Sequence, residues 1–244
     1  MKTILVTGDS RGVGYSIVSN LLDNGYRVIG ISRTQTDEVN SIIEKFGKDK
    51  YIHLNYDLLD VDGIKDLYRK QLRPLTKEGG IFGFVNNAAM AYDDIITNLN
   101  NNSLEKMYKV NVFSPMMITK YVLRDMLLNK VEGSIVHISS ISAHTGYKGL
   151  AMYASTKGAL EAFSKNTARE WGALGIRSNV VCPGFMDTEM SSSLSEDQKT
   201  RIFNRNSMKR PVKVENVATT VTFLVGEGGK GITGDILHVD NGTI

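Results

Sequence analysis

Short β-branched runs alternate with longer segments of helical period along the whole chain, and this alternation is the strongest constraint on its fold. Parallel neighbours cannot be joined by tight hairpins, so each strand needs a crossover, usually a helix. The pattern predicts strands at residues 3–7, 27–31, 51–55, 81–86, 134–139, 177–182 and 236–239. Helical stretches fall near 13–23, 38–46, 61–72, 103–128, 153–174 and 214–225. Right-handed crossovers then put helices on both faces of one seven-stranded parallel sheet, a Rossmann-type doubly wound α/β fold. No linker, repeat or low-complexity run interrupts the alternation, so residues 1–244 read as a single domain. The stretch 185–208 is the longest without strand character, and its serines Ser191, Ser192 and Ser193 mark it as an expected mobile lid over a substrate site.

Charge excludes some partners. With 29 basic and 26 acidic side chains the net charge is +3, which lacks the concentrated basic stripe that nucleic acid or a membrane surface demands. The one cysteine, Cys182, has no partner for an intramolecular disulfide and lies in an apolar run, where it reads as a small buried hydrophobe. The apolar stretch after Met1 and Lys2 ends at Gly8, too short for a secretory signal, and nothing has transmembrane length. The expected compartment is a reducing cytoplasm.

Thr7 to Gly14 follows the first strand directly and opens the first helix. Gly8, Gly12 and Gly14 permit a tight turn, close approach of backbone to a diphosphate, and close helix–strand packing. The helix N-terminus there favours an anion. At the end of the second strand, where an acidic side chain would hold the adenosine ribose of NAD, stands Arg33. With Arg11 it can pair with a 2′-phosphate, so NADP(H) is the expected cofactor, with NAD(H) possible. Asp9 in the same turn counts against this, because its charge would oppose the phosphate.

Tyr153 and Lys157 lie four residues apart and share one face of a helix. A neighbouring ammonium favours phenolate, so Lys157 is expected to lower the Tyr153 pKa toward working pH. Ser140 follows a strand at the sheet's carboxyl end, where parallel sheets bind ligands, and its hydroxyl can hydrogen-bond a substrate carbonyl. Asn86 to Ala89 ends the fourth strand, and Asn111 lies in the long helix after it. His53, His137, His144 and His238 show no metal-ligand spacing and read as packing or surface residues, so no metal is expected. Trp171, Met116 and Met117 read as core or subunit interface.

Taken in order and spacing, residues 7–14, Asp57, residues 86–89, Asn111, Ser140, Tyr153 with Lys157, and residues 183–188 make the chain resemble the short-chain dehydrogenase/reductase family over essentially its whole length. The resemblance implies that Tyr153 is the general acid for ketone reduction, that Lys157 binds the nicotinamide ribose and tunes Tyr153, that Ser140 orients the carbonyl, and that Asn111 supports a proton-relay water. It implies cofactor contacts from Gly8, Ser10, Arg11, Gly12, Val13, Gly14, Arg33, Asp57, Leu58, Asn87, Ala88, Pro183, Gly184, Met186 and Thr188. Asp57 would receive the adenine amino group, and Pro183, Gly184 and Thr188 the nicotinamide amide. Ala89 departs from the glycine usual in the family.

Within that family the chain is most similar to the 3-oxoacyl-acyl-carrier-protein reductases, which dock an acidic carrier on two exposed arginines. Val131 and Leu174 stand at those positions here, with Lys130 and Arg177 beside them as possible substitutes. The alternatives are a reductase of another small ketone, such as a sugar or secondary-metabolite intermediate, and a non-catalytic cofactor-binding sensor. The retained Tyr153, Lys157, Ser140 and Asn111 favour an enzyme. Apolar positions on the long helices carrying Asn111 and Tyr153 fit subunit pairing, and the resemblance implies a homotetramer.

Overall fold

In the computed structural model, which describes residues 1–187 and 195–244, seven parallel strands form one sheet in the order β3-β2-β1-β4-β5-β6-β7. They are β1 (Thr3–Thr7), β2 (Arg27–Ser32), β3 (Tyr51–Asn55), β4 (Ile81–Asn86), β5 (Ser134–Ile138), β6 (Arg177–Pro183) and β7 (Ile236–Val239). Strand order reverses between β1 and β4, whose registers run from Ile4 opposite Gly83 to Thr7 opposite Asn86. That reversal opens a crevice at the carboxyl ends, the place where such sheets take ligands.

Alternation along each strand feeds two cores. Ile4, Val6, Val28, Val85, Val136 and Val181 face one layer, made of α1 (Gly12–Asp23), α2 (Asp37–Phe46) and a C-terminal helix, Val214–Val225. Leu5, Ile29, Ile31, Phe84 and Ile135 face the other. There α3 covers residues 64–75 and α4 residues 101–129; each is a continuous helix with a wider π-type turn inside it, Leu67–Leu72 in α3 and Lys109–Phe113 in α4. Next come α5 (Ala151–Trp171), α6 (Glu196–Phe203) and, as α7, Val214–Val225. In α1 the buried Ile17, Val18, Leu21 and Leu22 recur at helical spacing, which is why this short helix docks on β1.

The expected elements are all present, with end shifts that have local causes. α4 starts early because Asn100 caps it, its side chain accepting from Ser103 N at 3.0 Å. α3 starts late because Asp60 Oδ1 accepts from Gly63 N at 3.0 Å and holds the preceding residues in a turn. The stretch expected to be a mobile lid without strand character contains α6, opened by a capping box: Gln198 N donates to Ser195 Oγ at 3.3 Å and Ser195 N to Gln198 Oε1 at 2.8 Å. Residues 188–194, including Thr188 and the three serines, lie outside the described residues.

Asp125 in α4 sets where β4 enters the sheet. Its buried carboxylate accepts from Ile81 N at 2.7 Å and Tyr68 Oη at 3.0 Å. Asp125→Ala orphans both donors, and at about 1–3 kcal/mol for each lost partner the expected cost is about 2–6 kcal/mol. A urea titration should show a lower midpoint with an unchanged slope; an unmoved midpoint would contradict this role.

Candidate active site

Gly8 and Gly12 adopt left-handed backbone, with φ of 71° and 55°. A Cβ on Gly14 would lie 1.8 Å from Gly8 O, and one on Gly8 would lie 2.9 Å from the Ala88 Cα, so both glycines are needed for α1 to pack against the strand ends. Gly12 differs: a Cβ there meets nothing within 4 Å. The first turn of α1 therefore presents bare backbone to open space at its positive end, a cradle that fits a diphosphate. Asn87 clamps the turn to β4, its Nδ2 donating to Thr7 O at 3.1 Å and Gly8 O at 3.0 Å, while the Thr7 hydroxyl accepts from the Asn87 and Ala88 amides. Asn87 thus supports the cofactor turn through the protein itself.

Asp9 does not point where the sequence reading placed its charge. Its side chain turns under β2, across Gly30, where a Cβ would lie 1.8 Å from Asp9 Oδ2. There it accepts from Tyr51 Oη at 2.5 Å and pairs with His53 Nδ1 at 2.7 Å, while His53 Nε2 meets Asn55 Oδ1 at 2.8 Å. Asp9 is fully buried, and the His53 side chain is 2% exposed. His53 is therefore a buried hydrogen-bond partner of Asp9 beneath the glycine turn, an ion pair when the imidazole is protonated, and not a surface residue.

Arg33 is exposed at the end of β2, and Ser10 O accepts the Thr36 hydroxyl at 2.7 Å. Arg11 is exposed at the start of α1, close enough in charge to act on Glu38. The Glu38 carboxyl is held below its usual value by its own backbone amide, the Thr36 hydroxyl and the Arg11 charge. Glu38 was not singled out in the sequence, although its place in the first turn of α2 beside the capping Thr36 signals it. Asp57 is exposed with Oδ1 already accepting from Leu59 N at 3.0 Å, and the buried Leu58 carbonyl accepts from Ser114 Oγ at 2.5 Å. Val13 and Met186 pack against the first core, and Gly184 sits against Asp240, where a Cβ would approach to 2.7 Å. Pro183 O accepts from Ile141 N at 3.1 Å, joining the end of β6 to the segment after Ser140.

On α5, Tyr153 and Lys157 share a face, with Lys157 Nζ 5.5 Å from the Tyr153 ring centre. Lys157 is buried and donates to Ile138 O at 2.8 Å, at the end of β5. Burial pushes the Lys157 ammonium down to about 8, against the opposing charges of Cys182 and Glu161. The Tyr153 phenol is pushed up, not down: burial dominates, Asp93 and Cys182 add to it, and the Lys157 amine is committed to a carbonyl. The expected lowering of the phenol is thus reversed in the protein alone, which keeps Tyr153 a proton donor. Asp93, in the loop after β4, is a neighbour of Tyr153 that no sequence spacing revealed.

Ser140 Oγ accepts from Ser142 N at 3.2 Å and Ser142 Oγ at 3.1 Å, so its own hydrogen remains available for a carbonyl oxygen. Asn111 lies in the π-type turn of α4, buried, with Oδ1 accepting from Met90 N at 2.8 Å and Nδ2 donating to Met90 O at 2.9 Å and Thr156 Oγ1 at 3.1 Å. It locks the loop after β4 to α5. Arg177, expected as a docking cation, is half-buried and caps α7 instead: Nη1 donates to Leu224 O at 2.6 Å and Gly229 O at 2.8 Å, and Nη2 to Val225 O at 3.3 Å. Lys130 is exposed at the left-handed end of α4.

A family model described as Enoyl-(Acyl carrier protein) reductase matches residues 8–243. The chain belongs to the short-chain dehydrogenase/reductase family of oxidoreductases. It is 34% identical over 241 residues to the 3-oxoacyl-[acyl-carrier-protein] reductase FabG of Buchnera aphidicola subsp. Schizaphis graminum, covering 99% of this chain and 96% of that one. It is 33% identical over 245 residues to the uncharacterized oxidoreductase YmfI of Bacillus subtilis strain 168, covering 99% and 98%. A blue fluorescent protein from a metagenomic library, solved in complex with NADPH, superposes with a TM-score of 0.90 at 26% identity over 99% of this chain and 97% of that one. No helix among the described residues is long and apolar enough to cross a membrane.

The Asp9–His53 pair carries a pH signature. Burial works against the imidazolium, yet the Asp9 hydrogen bond and charge, with Asn55, leave the His53 pKa raised. The pair's contribution is full below the ordinary imidazole value of about 6.5 and is lost as pH rises through the raised folded value. The difference in Tm between the natural protein and His53→Gln should therefore be larger near pH 6 than near pH 9; a difference that grows with pH would contradict the pairing.

Proposed function

We propose that this chain, acting as one domain over residues 1–244, is an NADP(H)-dependent reductase that converts a ketone to a secondary alcohol. The observation that carries the reading is the half-buried Tyr153 phenol, its pKa pushed up by burial and its ring 5.5 Å from the buried Lys157 Nζ, with Lys157 anchored to the carboxyl end of β5, the strand that Ser140 follows. The open backbone at Gly12 and the exposed Arg33 fit a phosphorylated dinucleotide. When bound, that cofactor supplies the hydride.

The chain's own residues handle the proton. Ser140 donates its free hydroxyl hydrogen to the substrate carbonyl and fixes its orientation. Tyr153 holds a proton at Oη and gives it to the same oxygen as charge develops there. Lys157, anchored by Ile138 O, stands where an ammonium can hold a ribose hydroxyl and stabilise the phenolate left behind. Asn111 positions the loop and helix that enclose this space, and its turn is where a relay water would return a proton to Tyr153. Pro183, Gly184 and Met186 line the nicotinamide end in this reading, and Asp57 and Leu58 the adenine end; Thr188, expected at the nicotinamide amide, lies outside the described residues.

The relatives' activity supports a 3-oxoacyl-acyl-carrier-protein substrate. A second reading, a small free ketone, is favoured by the docking positions: Val131 and Leu174 are uncharged, and Arg177 is spent on capping α7. A homotetramer in the cytoplasm completes the proposal, with exposed Phe113, Leu127 and Leu128 on α4 as contact residues.

Tyr153→Phe should cut kcat by about 10²–10⁴-fold with NADPH affinity nearly unchanged; a loss below tenfold in steady-state assays would remove Tyr153 from the acid role. Arg33→Ala should erode the NADPH-over-NADH preference in kcat/KM by roughly ten- to a hundredfold. Glu38→Gln, which frees Arg11 from a competing carboxylate, should move the same ratio the other way. A ratio unmoved by both changes would place the 2′-phosphate elsewhere. Comparing turnover of a carrier-linked 3-oxoacyl chain with its small-thioester analogue across a salt series separates the two substrate readings. Carrier docking predicts a steep salt dependence for the linked form alone.

A further inference from the structure

Three side chains far apart in sequence meet at the carboxyl edge of the sheet beside the candidate active site. His144 comes from the one-turn helix Ser142–Thr145, Cys182 from β6 and His238 from β7. Each offers a ligand atom, and these atoms all lie within 4.8 Å of one another. The two imidazoles meet edge to face with ring centres 5.1 Å apart. Cys182 is fully buried, whereas both histidines are exposed, so the cluster has a thiol floor and a solvent entrance.

The histidines are not there simply to satisfy each other. Neither nitrogen of His238, nor Nδ1 of His144, nor the Cys182 thiol has a hydrogen-bond partner among the described residues. Nε2 of His144 is held by Glu161 Oε1 at 3.0 Å, and the same oxygen accepts from Ser139 Oγ at 2.5 Å. A carboxylate fixing one ring nitrogen while the other stays open is how proteins orient an imidazole toward a metal. One thiolate and two imidazoles suit zinc-class ions and disfavour the oxygen-seeking magnesium and calcium. Bonds of about 2.3 Å to sulfur and about 2.0–2.1 Å to nitrogen put tetrahedral ligands about 3.3–3.7 Å apart, so the widest pair needs to close by about 1 Å. Exposed imidazoles can make that adjustment by rotation.

We propose that His144, Cys182 and His238 form a site for a zinc-class divalent cation, with Glu161 orienting His144 and a fourth position open to water. On binding, the Cys182 S–H proton passes to solvent and the thiolate lone pair forms the metal–sulfur bond; no electron changes hands. Burial pushes the free Cys182 thiol up to about 12, so its charge appears only when a metal takes the thiolate, and that charge lies close enough to act on both Tyr153 and Lys157; His144 follows Ser140 by four residues. A dication at this place opposes the Lys157 ammonium, so occupancy inhibits turnover. The inhibition, unlike the binding, rests on reading Tyr153 and Lys157 as the catalytic pair.

Titration of the chelator-stripped full chain with Co²⁺ tests the binding directly. The expected result is one Co²⁺ per chain with a thiolate-to-cobalt charge-transfer band, displaced by Zn²⁺. His144→Gln and His238→Gln, both at exposed positions, should each weaken binding at least about tenfold, and Cys182→Ser should remove the band. Without metal, His238→Gln should turn over ketone as the natural protein does and should have lost inhibition by Zn²⁺. Absence of the band, or an affinity unchanged in both histidine variants, overturns the site. A normal band with turnover unaffected by Zn²⁺ overturns the coupling to Lys157.

Discussion

The carboxyl end of this sheet depends on one close approach. α1 begins so near the exit of β1 that a Cβ on Gly14 would stand 1.8 Å from the Gly8 carbonyl oxygen, and no side chain can be inserted there. Because the contact holds α1 hard against the strand ends, its N-terminal amides open at the point where strand order reverses. Asn87 ties the same turn to the end of β4, and Gly8 N donates to Ile31 O at 2.8 Å, which ties it to β2. Three strands thus fix one loop, and the loop fixes where a dinucleotide can lie.

The reacting end is built by a different device. Lys157 is buried at a cost that pulls its ammonium down to about 8, and the carbonyl of Ile138 is the partner that keeps it there. Burial raises the Tyr153 phenol, so the two groups that would exchange influence in water are driven toward neutral forms together. Asn111 braces the enclosure through Met90 and Thr156 at a π-type turn, where irregular helical geometry is spent on positioning. Asp125 and the Asp9–His53–Tyr51 cluster do the same for the frame behind the site, each with a buried carboxylate that several donors require.

Much of this was legible in the sequence because local chemistry announced it. Short β-branched runs between segments of helical period marked the strands, and Gly8, Gly12 and Gly14 marked the turn. Tyr153 and Lys157 at helical spacing, just after Ser140, marked the groups proposed to react. What escaped depends on contacts between distant segments. Asp9 read as an anion opposing the phosphate because nothing in the turn shows that Gly30, on the neighbouring strand, leaves room for it to pass beneath to His53. Arg177 read as a free cation because the carbonyls it caps lie in α7 and the turn after it. Val131 and Leu174, by contrast, were visible from the outset as departures at the docking positions. The phenol's direction of shift was misjudged because spacing puts Lys157 near Tyr153 but says nothing of the burial that outweighs it.

Hydrogen–deuterium exchange of the full chain with and without NADPH tests the central claim, that the strand ends around the β1–β4 reversal and the α5 face form one cofactor site. The account predicts slowed exchange in the amides of residues 8–14, at the ends of β2 and β4, and in the first turns of α5, with the opposite edge of the sheet unchanged. Protection confined to another surface, or none at saturating NADPH, would contradict it.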